Sequence, residues 1–169
     1  MLTLLLGGAR SGKSTLAVRL ASETGTDVVF IATGEPRDGE MAERIARHRA
    51  ERPAGWQTVE EPVALREALV AAPQDACVVV DCLSLWVANL IERGDAGVED
   101  EAAAAAAVAA ARPAPTIAVT NEVGLGIVPV TALGRRYRDL LGRVNAFWAQ
   151  AAAESFFVVA GKALRLGDV

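Results

Sequence analysis

The sequence predicts an α/β fold with a mainly parallel sheet that is covered by helices on both faces. Short apolar runs alternate with longer segments of helical periodicity, and such alternation is typical of a parallel sheet. Most residues of these runs are apolar, as expected for strands buried on both sides. Hydrophobic residues make up 52% of the 169 residues but aromatic residues only 5%. Small and aliphatic side chains therefore fill the predicted core, whose size fits one domain.

The first half of the chain predicts three strands and four helices. Each strand is an apolar or β-branched run, and each helix has apolar residues at helical spacing. Pro53 ends the second helix, which is rich in charged residues. The predicted strands are 2–6, 28–31 and 77–80, and the predicted helices open at Ser14 and span 40–51, 64–71 and 83–91.

The second half continues the same rhythm, with strands expected at 116–119, 156–159 and 163–166. Acidic residues at 99–101 favour a helix N-terminus, and the alanine-rich run to Ala111 continues it, because alanine is the best helix former. Pro113 and Pro115 follow this helix. A glycine-rich loop over 120–129 precedes a long amphipathic helix over 131–153. The last short strand is expected to pair antiparallel.

Charge and hydropathy exclude several classes of partner. The 17 basic and 21 acidic residues give a net charge of −4, with no basic block that could follow a phosphate backbone, so we expect no nucleic-acid partner. Mean hydropathy is +0.28, but no apolar run reaches the about 18–20 residues of a membrane span. The start of the chain lacks a signal-peptide pattern, which predicts a cytoplasmic protein. Cys77 and Cys82 flank a buried strand and are expected to be reduced thiols.

A phosphate-binding motif follows the first predicted strand. The pattern G-x-x-x-x-G-K-[ST] is specific when it lies between a strand and a helix, as it does here. Its backbone N–H groups wrap a phosphate, its lysine reaches the β- and γ-phosphates, and its serine hydroxyl binds Mg²⁺. The motif residues are Gly7, Gly8, Ala9, Arg10, Ser11, Gly12, Lys13 and Ser14.

Asp81 ends the third predicted strand and resembles the second acidic element of nucleotide triphosphatases, which lies near the metal. We therefore predict Ser14 and Asp81 as Mg²⁺ ligands. The alternative interpretation is that Asp81 caps the helix that follows.

His48, the only histidine, lies on the charged helix with Arg44, Arg47 and Arg49 and close to Arg52. A lone histidine among charges is often just part of a solvated helix face. However, Arg44 and Arg52 lie four residues to either side of His48 and share its face if the helix persists. Such a face offers donors for phosphate. Neighbouring cations also favour the neutral, nucleophilic form of the imidazole.

Together these residues resemble the bifunctional adenosylcobinamide kinase / adenosylcobinamide-phosphate guanylyltransferase family of cobalamin biosynthesis. The resemblance runs from end to end in family order and is weakest over 93–115. It is carried by GGARSGKS at 7–14, IATGEPRDGEMAERIARHRAERPAGWQTVEEP at 31–62, DCLSLWVANL at 81–90, VTNEVGLGIVP at 119–129 and RRYRDLLGRVN at 135–145.

The resemblance implies a RecA-like P-loop fold, in one domain over 1–169, that performs two reactions. First, ATP or GTP phosphorylates the aminopropanol hydroxyl of adenosylcobinamide. Second, His48 attacks the α-phosphate of GTP, and the guanylyl group then passes to the new phosphate, giving adenosylcobinamide-GDP. The family also suggests a homo-oligomer, such as a trimer. Besides Gly7 to Ser14, the implied nucleotide site includes Ala32, Thr33, Gly34, Arg49, Ala50, Glu51, Arg52, Glu60 and Asp81.

Some assignments stay open at this stage. Either Glu60 or Asp81 could accept hydrogen bonds from guanine instead of holding metal, and some family members have glutamate where this chain has Asp81. Asn121, Glu122 and residues 124–129 are candidates for the corrinoid side of the site, or form a purely structural loop. The alternatives to the transferase are another small-metabolite P-loop kinase without a covalent histidine, and a non-catalytic nucleotide-sensing subunit.

Overall fold

The computed structural model describes residues 1–50, 52–94 and 96–167. Seven strands form one sheet in the order β3-β2-β4-β5-β1-β6-β7. All neighbours pair in parallel except β6 and β7, which form an antiparallel pair. The strands are β1 (Leu2–Gly7), β2 (Val28–Ala32), β3 (Gln57–Glu60), β4 (Cys77–Asp81), β5 (Thr116–Asn121), β6 (Glu154–Val159) and β7 (Lys162–Arg165).

Helices cover both faces of this sheet. One face packs on α1, and the other packs on α3, α4, α5 and α6. Alanines of α5 and the indoles of Trp86 and Trp148 fill the second layer. None of the helices in the described ranges is long and apolar enough to cross a membrane. The helices are α1 (Lys13–Glu23), α2 (Gly39–Ala50), α3 (Leu65–Ala71), α4 (Leu83–Glu92), α5 (Val98–Ala111) and α6 (Ala132–Ala151).

The predicted fold class is confirmed, including the antiparallel last strand. Every predicted helix is present with slightly different ends. For example, Thr131 lies outside α6 as its N-cap, and its side chain accepts a hydrogen bond from the Gly134 N–H. Cys77 and Cys82 are free thiols, as expected. Burial raises the pKa of each to about 11.

The prediction was wrong over Gln57–Glu60, where no strand was expected and β3 forms. β3 pairs with β2 alone, so it is an edge strand of the sheet. Three of its four residues are polar, and all four are half-buried or exposed. An edge strand does not need the continuous apolar run by which the buried strands are recognised.

The parallel order brings the carboxyl ends of six strands, β1 to β6, to one edge of the sheet. Gly7, Ala32, Glu60, Asp81 and Asn121 are the last residues of β1, β2, β3, β4 and β5. Open α/β sheets bind ligands in the crevice outside the carboxyl ends of their strands. All the candidate site residues that the structure describes lie at or next to this edge.

Candidate active site

The phosphate-binding motif forms a tight loop between β1 and α1. A Cβ atom on Gly7 would lie 2.2 Å from the carbonyl oxygen of Val158 in neighbouring β6, so no larger residue fits without a backbone shift. Gly12, the N-cap of α1, has a φ of 101°, a left-handed conformation that favours glycine. The Gly161 N–H in the β6–β7 turn donates to the Ser11 carbonyl at 2.9 Å. The C-terminal hairpin therefore supports the loop from one side.

Lys13 lies inside this loop, with only 7% of its surface exposed. Its ammonium donates to the carbonyls of Gly7 and Gly8 at 2.9 and 2.7 Å. Burial lowers the pKa of Lys13, while the negative charge of Asp81 acts in the opposite direction. The loop thus holds a cation near the end of β4.

A cavity of about 300 Å³ opens beside the start of α1. Its lining combines hydroxyl, imidazole, guanidinium and carboxylate groups with an apolar wall. The lining residues are Ser14, Thr15, Val18, Phe30, His48, Arg52 and Asp81. Four predicted site residues, Ser14, His48, Arg52 and Asp81, therefore meet around one space.

Arg52 is fixed against the aromatic wall of this cavity. Its guanidinium carbon lies 3.5 Å from the centroid of the Phe30 ring, and Trp56 stacks near Phe30 with ring centroids 6.5 Å apart. Nη1 donates to the Thr58 hydroxyl at 3.3 Å, whereas the buried Nε has no hydrogen-bond partner among the described residues. Burial lowers the pKa of Arg52, and Asp81 partly opposes the shift. The cation is held in place while part of its donor capacity is unused.

The imidazole of His48 faces the carboxylate of Asp81, with Nδ1 4.0 Å from Oδ2. The charged group that this geometry shows facing the imidazole is thus an acid. Asp81 does not cap α4, because Cys82 is the N-cap and makes no side-chain capping bond. The capping interpretation of Asp81 is therefore wrong.

The turn after β2 connects the strand ends. The Thr33 N–H donates to the Asp81 carbonyl at 3.2 Å, and the Thr33 hydroxyl donates to the Cys82 carbonyl at 2.7 Å. A Cβ atom on Gly34 would lie 3.3 Å from Leu85 and 3.6 Å from Ile45. The small residue therefore lets α2, which carries His48, approach the start of α4.

The remaining predicted residues lie around the same edge. Ala50 ends α2, and Glu60 at the end of β3 is exposed and forms an ion pair with Arg49 at 3.5 Å. The helix does not reach Arg52, which lies after it, so the expected shared helical face with Arg44 does not extend that far. Glu51 lies outside the described residues.

Sequence reasoning missed Phe30, Thr15 and Val18 as lining residues. Thr15 and Val18 follow the motif at helical spacing, and that periodicity could have identified them. Phe30 reads as an ordinary core residue of a buried strand. Only its contact with Arg52 distinguishes it.

Comparison with known proteins fits this geometry. The family model described as cobinamide kinase / cobinamide phosphate guanyltransferase matches residues 3–166. The chain belongs to this family. The bifunctional adenosylcobalamin biosynthesis protein CobP of Pseudomonas aeruginosa is 47% identical over 163 residues, which are 95% of this chain and 94% of that protein. The CobU proteins of Salmonella typhimurium and Escherichia coli are each 39% identical, covering 98% of this chain and 99% of theirs.

Solved structures with low sequence identity share the fold. The RadB recombinase superposes with a TM-score of 0.52 at 17% identity, covering 92% of this chain and 73% of RadB. The flagellar accessory protein FlaH of Methanocaldococcus jannaschii has a TM-score of 0.55 at 14% identity, covering 98% and 77%. The RecA-like P-loop architecture implied by the sequence is thereby confirmed. The family assignment makes this chain an enzyme of the kinase and guanylyltransferase type.

Proposed function

We propose that this chain phosphorylates adenosylcobinamide with ATP or GTP and then converts the product to adenosylcobinamide-GDP with GTP, using one domain for both reactions. The observation that carries the proposal is that His48, Arg52, Asp81 and Ser14 line one cavity at the mouth of the phosphate loop. A kinase alone has no need of a histidine at that place. The family membership supports the same pair of reactions.

In the phosphoryl transfer, the loop binds the triphosphate and the substrate hydroxyl attacks the γ-phosphorus. The new O–P bond forms as the bond to the β-phosphate oxygen breaks, and the hydroxyl proton leaves to solvent. The ammonium of Lys13 stabilises charge on the β- and γ-phosphates. To do so it must exchange its bonds to the Gly7 and Gly8 carbonyls for phosphate oxygens. No covalent group on the protein takes part.

In the guanylyl transfer, His48 is the nucleophile. Asp81 faces Nδ1, which leaves Nε2 to attack the α-phosphorus of GTP. An N–P bond forms and pyrophosphate leaves. An oxygen of the corrinoid phosphate then attacks the same phosphorus, the N–P bond breaks, and the free imidazole is restored. Imidazole suits both steps because it attacks when neutral and leaves well once protonated. Arg52, held against Phe30, can stabilise negative charge on the α-phosphate during its transfer.

The residues present fit a Mg²⁺ ion. Mg²⁺ is commonly held by one or two protein oxygens together with substrate phosphates and waters. The Ser14 hydroxyl and the Asp81 carboxylate line the same cavity and would hold the ion there. When bound, Mg²⁺ would neutralise charge on the phosphates. The part of the chain that the structure describes has no cluster of three or more acidic, histidine or cysteine side chains for a metal held by protein alone.

We assign guanine recognition to Glu60 in preference to Asp81. A carboxylate can accept from both N1–H and the exocyclic amine of guanine. The half-buried Asp81 carboxylate already faces His48 and acts on Lys13. Glu60 is exposed at the end of β3, and its ion pair with Arg49 is long at 3.5 Å. Glu60 can therefore bind the guanine base without disturbing the residues around the phosphates.

We also propose that the chain acts in the cytoplasm as a homo-oligomer, with a trimer as the state to test. Support for the oligomer comes from the β6–β7 hairpin at the open edge of the sheet, where Val159, Leu164 and Leu166 are exposed. Exposed apolar side chains at a sheet edge are typical of a protein interface. Equilibrium sedimentation measures the mass directly.

The experiment supplies adenosylcobinamide with ATP alone, and then with ATP and GTP, and identifies the corrinoid products. We expect adenosylcobinamide phosphate from the first mixture and adenosylcobinamide-GDP from the second. A phosphate product that is never guanylylated would instead identify a small-metabolite kinase. Nucleotide binding without either product would identify a sensing subunit.

A further inference from the structure

The loop between β5 and α6, together with the first turn of α6, exposes an unusual number of large apolar side chains. Ile127 is 98% exposed, Val130 94% and Leu125 80%, and Val128 and Leu133 are also more than half exposed. Isolated exposed apolar residues are normal, but a cluster of them in one segment marks an interaction site. We call residues 125–133 the apolar loop. None of these five side chains contributes to the buried core.

The apolar loop is nevertheless a built feature. At its start, the Glu122 carboxylate accepts from the Gly124 N–H. In its middle, the carbonyls of Pro129 and Val130 accept from Arg135 Nη1 at 3.0 and 2.9 Å. Hydrogen bonds therefore hold the segment just before the loop and the middle of the loop, while the apolar side chains are exposed. Exposing these apolar side chains to water is unfavourable. Their exposure in an ordered segment therefore indicates that a ligand covers them.

The loop starts directly at the phosphate cradle. β5 pairs with β1 so that Asn121 lies beside Gly7, and the Glu122 N–H donates to the Gly7 carbonyl at 3.1 Å. The same carbonyl accepts from the ammonium of Lys13. A molecule whose hydroxyl is presented at Lys13 can therefore extend along residues 125–133.

The size of the cavity at His48 separates the two substrates. The cavity at His48 holds about 300 Å³, the low end of the about 300–1,000 Å³ range of small-ligand pockets, which suits part of a nucleotide. A corrinoid macrocycle with its side chains and an adenosyl ligand is far larger and must lie outside this cavity. Its edge carries many methyl groups, which bind best to exposed aliphatic side chains.

We infer that the apolar loop is the docking surface for the corrinoid ring, while the phosphate cradle receives only its aminopropanol arm. This inference rests on the proposed function. It separates the two substrates in space, with nucleotide at His48 and Lys13 and the corrinoid body on residues 125–133. The competing occupant of the loop is a second copy of the chain.

The test compares Ile127→Asp and Val130→Asp with a matched control, Val70→Asp, which changes an equally apolar side chain, 60% exposed, on α3. For each protein we would measure KM for adenosylcobinamide, KM for ATP, labelling by α-labelled GTP in the absence of corrinoid, and mass by sedimentation. Losing one buried aliphatic contact and placing a charge against methyl groups is expected to raise KM for adenosylcobinamide by about tenfold or more. The ATP and labelling results and the mass should match those of the control.

Two results overturn the inference. An unchanged KM for adenosylcobinamide in both loop variants would show that the ring lies elsewhere, and a loss of mass in either would show that the loop joins copies of the chain. These results differ from a failure of the proposed function, which would appear in the wild-type protein as no product and no label.

Discussion

Replacing Gly7 by alanine tests how the phosphate loop is built. The added methyl group would lie 2.2 Å from the Val158 carbonyl oxygen and 3.0 Å from the Ser11 hydroxyl. β1 and β6 are paired neighbours, so the clash can be relieved only by moving backbone. Overpacking of this kind costs about 1–3 kcal/mol, and a protein of this size loses about 2–4 °C in Tm per kcal/mol. We expect Gly7→Ala to unfold several degrees lower than the wild type.

Gly8→Ala is the matched control, since no other part of the described chain lies within 4 Å of its added Cβ atom. This variant should stay within about 0.5 kcal/mol of the wild type, as surface substitutions do. Differential scanning calorimetry gives both Tm values. A nucleotide-binding assay then reports whether the displaced Gly7 carbonyl still aligns Lys13. Equal Tm values for the two variants would refute the close approach of the loop to β6.

Three further outcomes follow from the site and core. Lys13→Ala should lose both phosphoryl and guanylyl transfer by several kcal/mol of transition-state stabilisation, and normal rates of both in steady-state assays would contradict a shared phosphate site. Glu60→Gln should lose the preference for GTP over ATP in nucleotide competition because an acceptor becomes a donor. Asp81→Asn should keep this preference and react more slowly. An unchanged preference in both variants would show that neither carboxylate recognises guanine. The pKa of Cys77 is about 11 in the fold against 9.0 in its absence, so the unfolded chain ionises first and the fold loses stability as pH rises from about 8 to 10. Measured by denaturant unfolding, the wild type should therefore lose about 1 kcal/mol relative to Cys77→Val over that range, and parallel pH curves would refute a buried neutral thiol.

The sequence was sufficient to predict the fold where periodicity and turn chemistry agree. The buried strands are apolar runs, and the helices between them have clear stops such as Pro53 and Pro113. β3 was not predicted because its stability comes from pairing with β2 at the edge of the sheet. That contact is non-local, and the residues of β3 do not encode it. The same limit applies to strand order, which follows from how helices pack across the sheet.

The candidate site was predictable in its residues more than in its contacts. The motif spacing pointed to Lys13 and Ser14, and the end of an apolar strand pointed to Asp81. The cationic helix face and the family resemblance together pointed to His48. Their meeting around one cavity depends on α2, a helix without a buried residue, whose position no hydrophobic pattern specifies. The stacking of Arg52 on Phe30 could not be foreseen either, since Arg52 lies beyond the helix that was expected to present it.

Guanylylation of His48 is the central claim, and labelling with α-labelled GTP tests it most directly. The wild type and His48→Ala are incubated with the labelled nucleotide and Mg²⁺, denatured, and separated by electrophoresis, and the labelled peptide is sequenced. The account predicts acid-labile, base-stable label on the wild-type peptide that contains His48 and none on the variant, which should still form adenosylcobinamide phosphate. Label that persists on His48→Ala, or that maps to another peptide, would contradict the account.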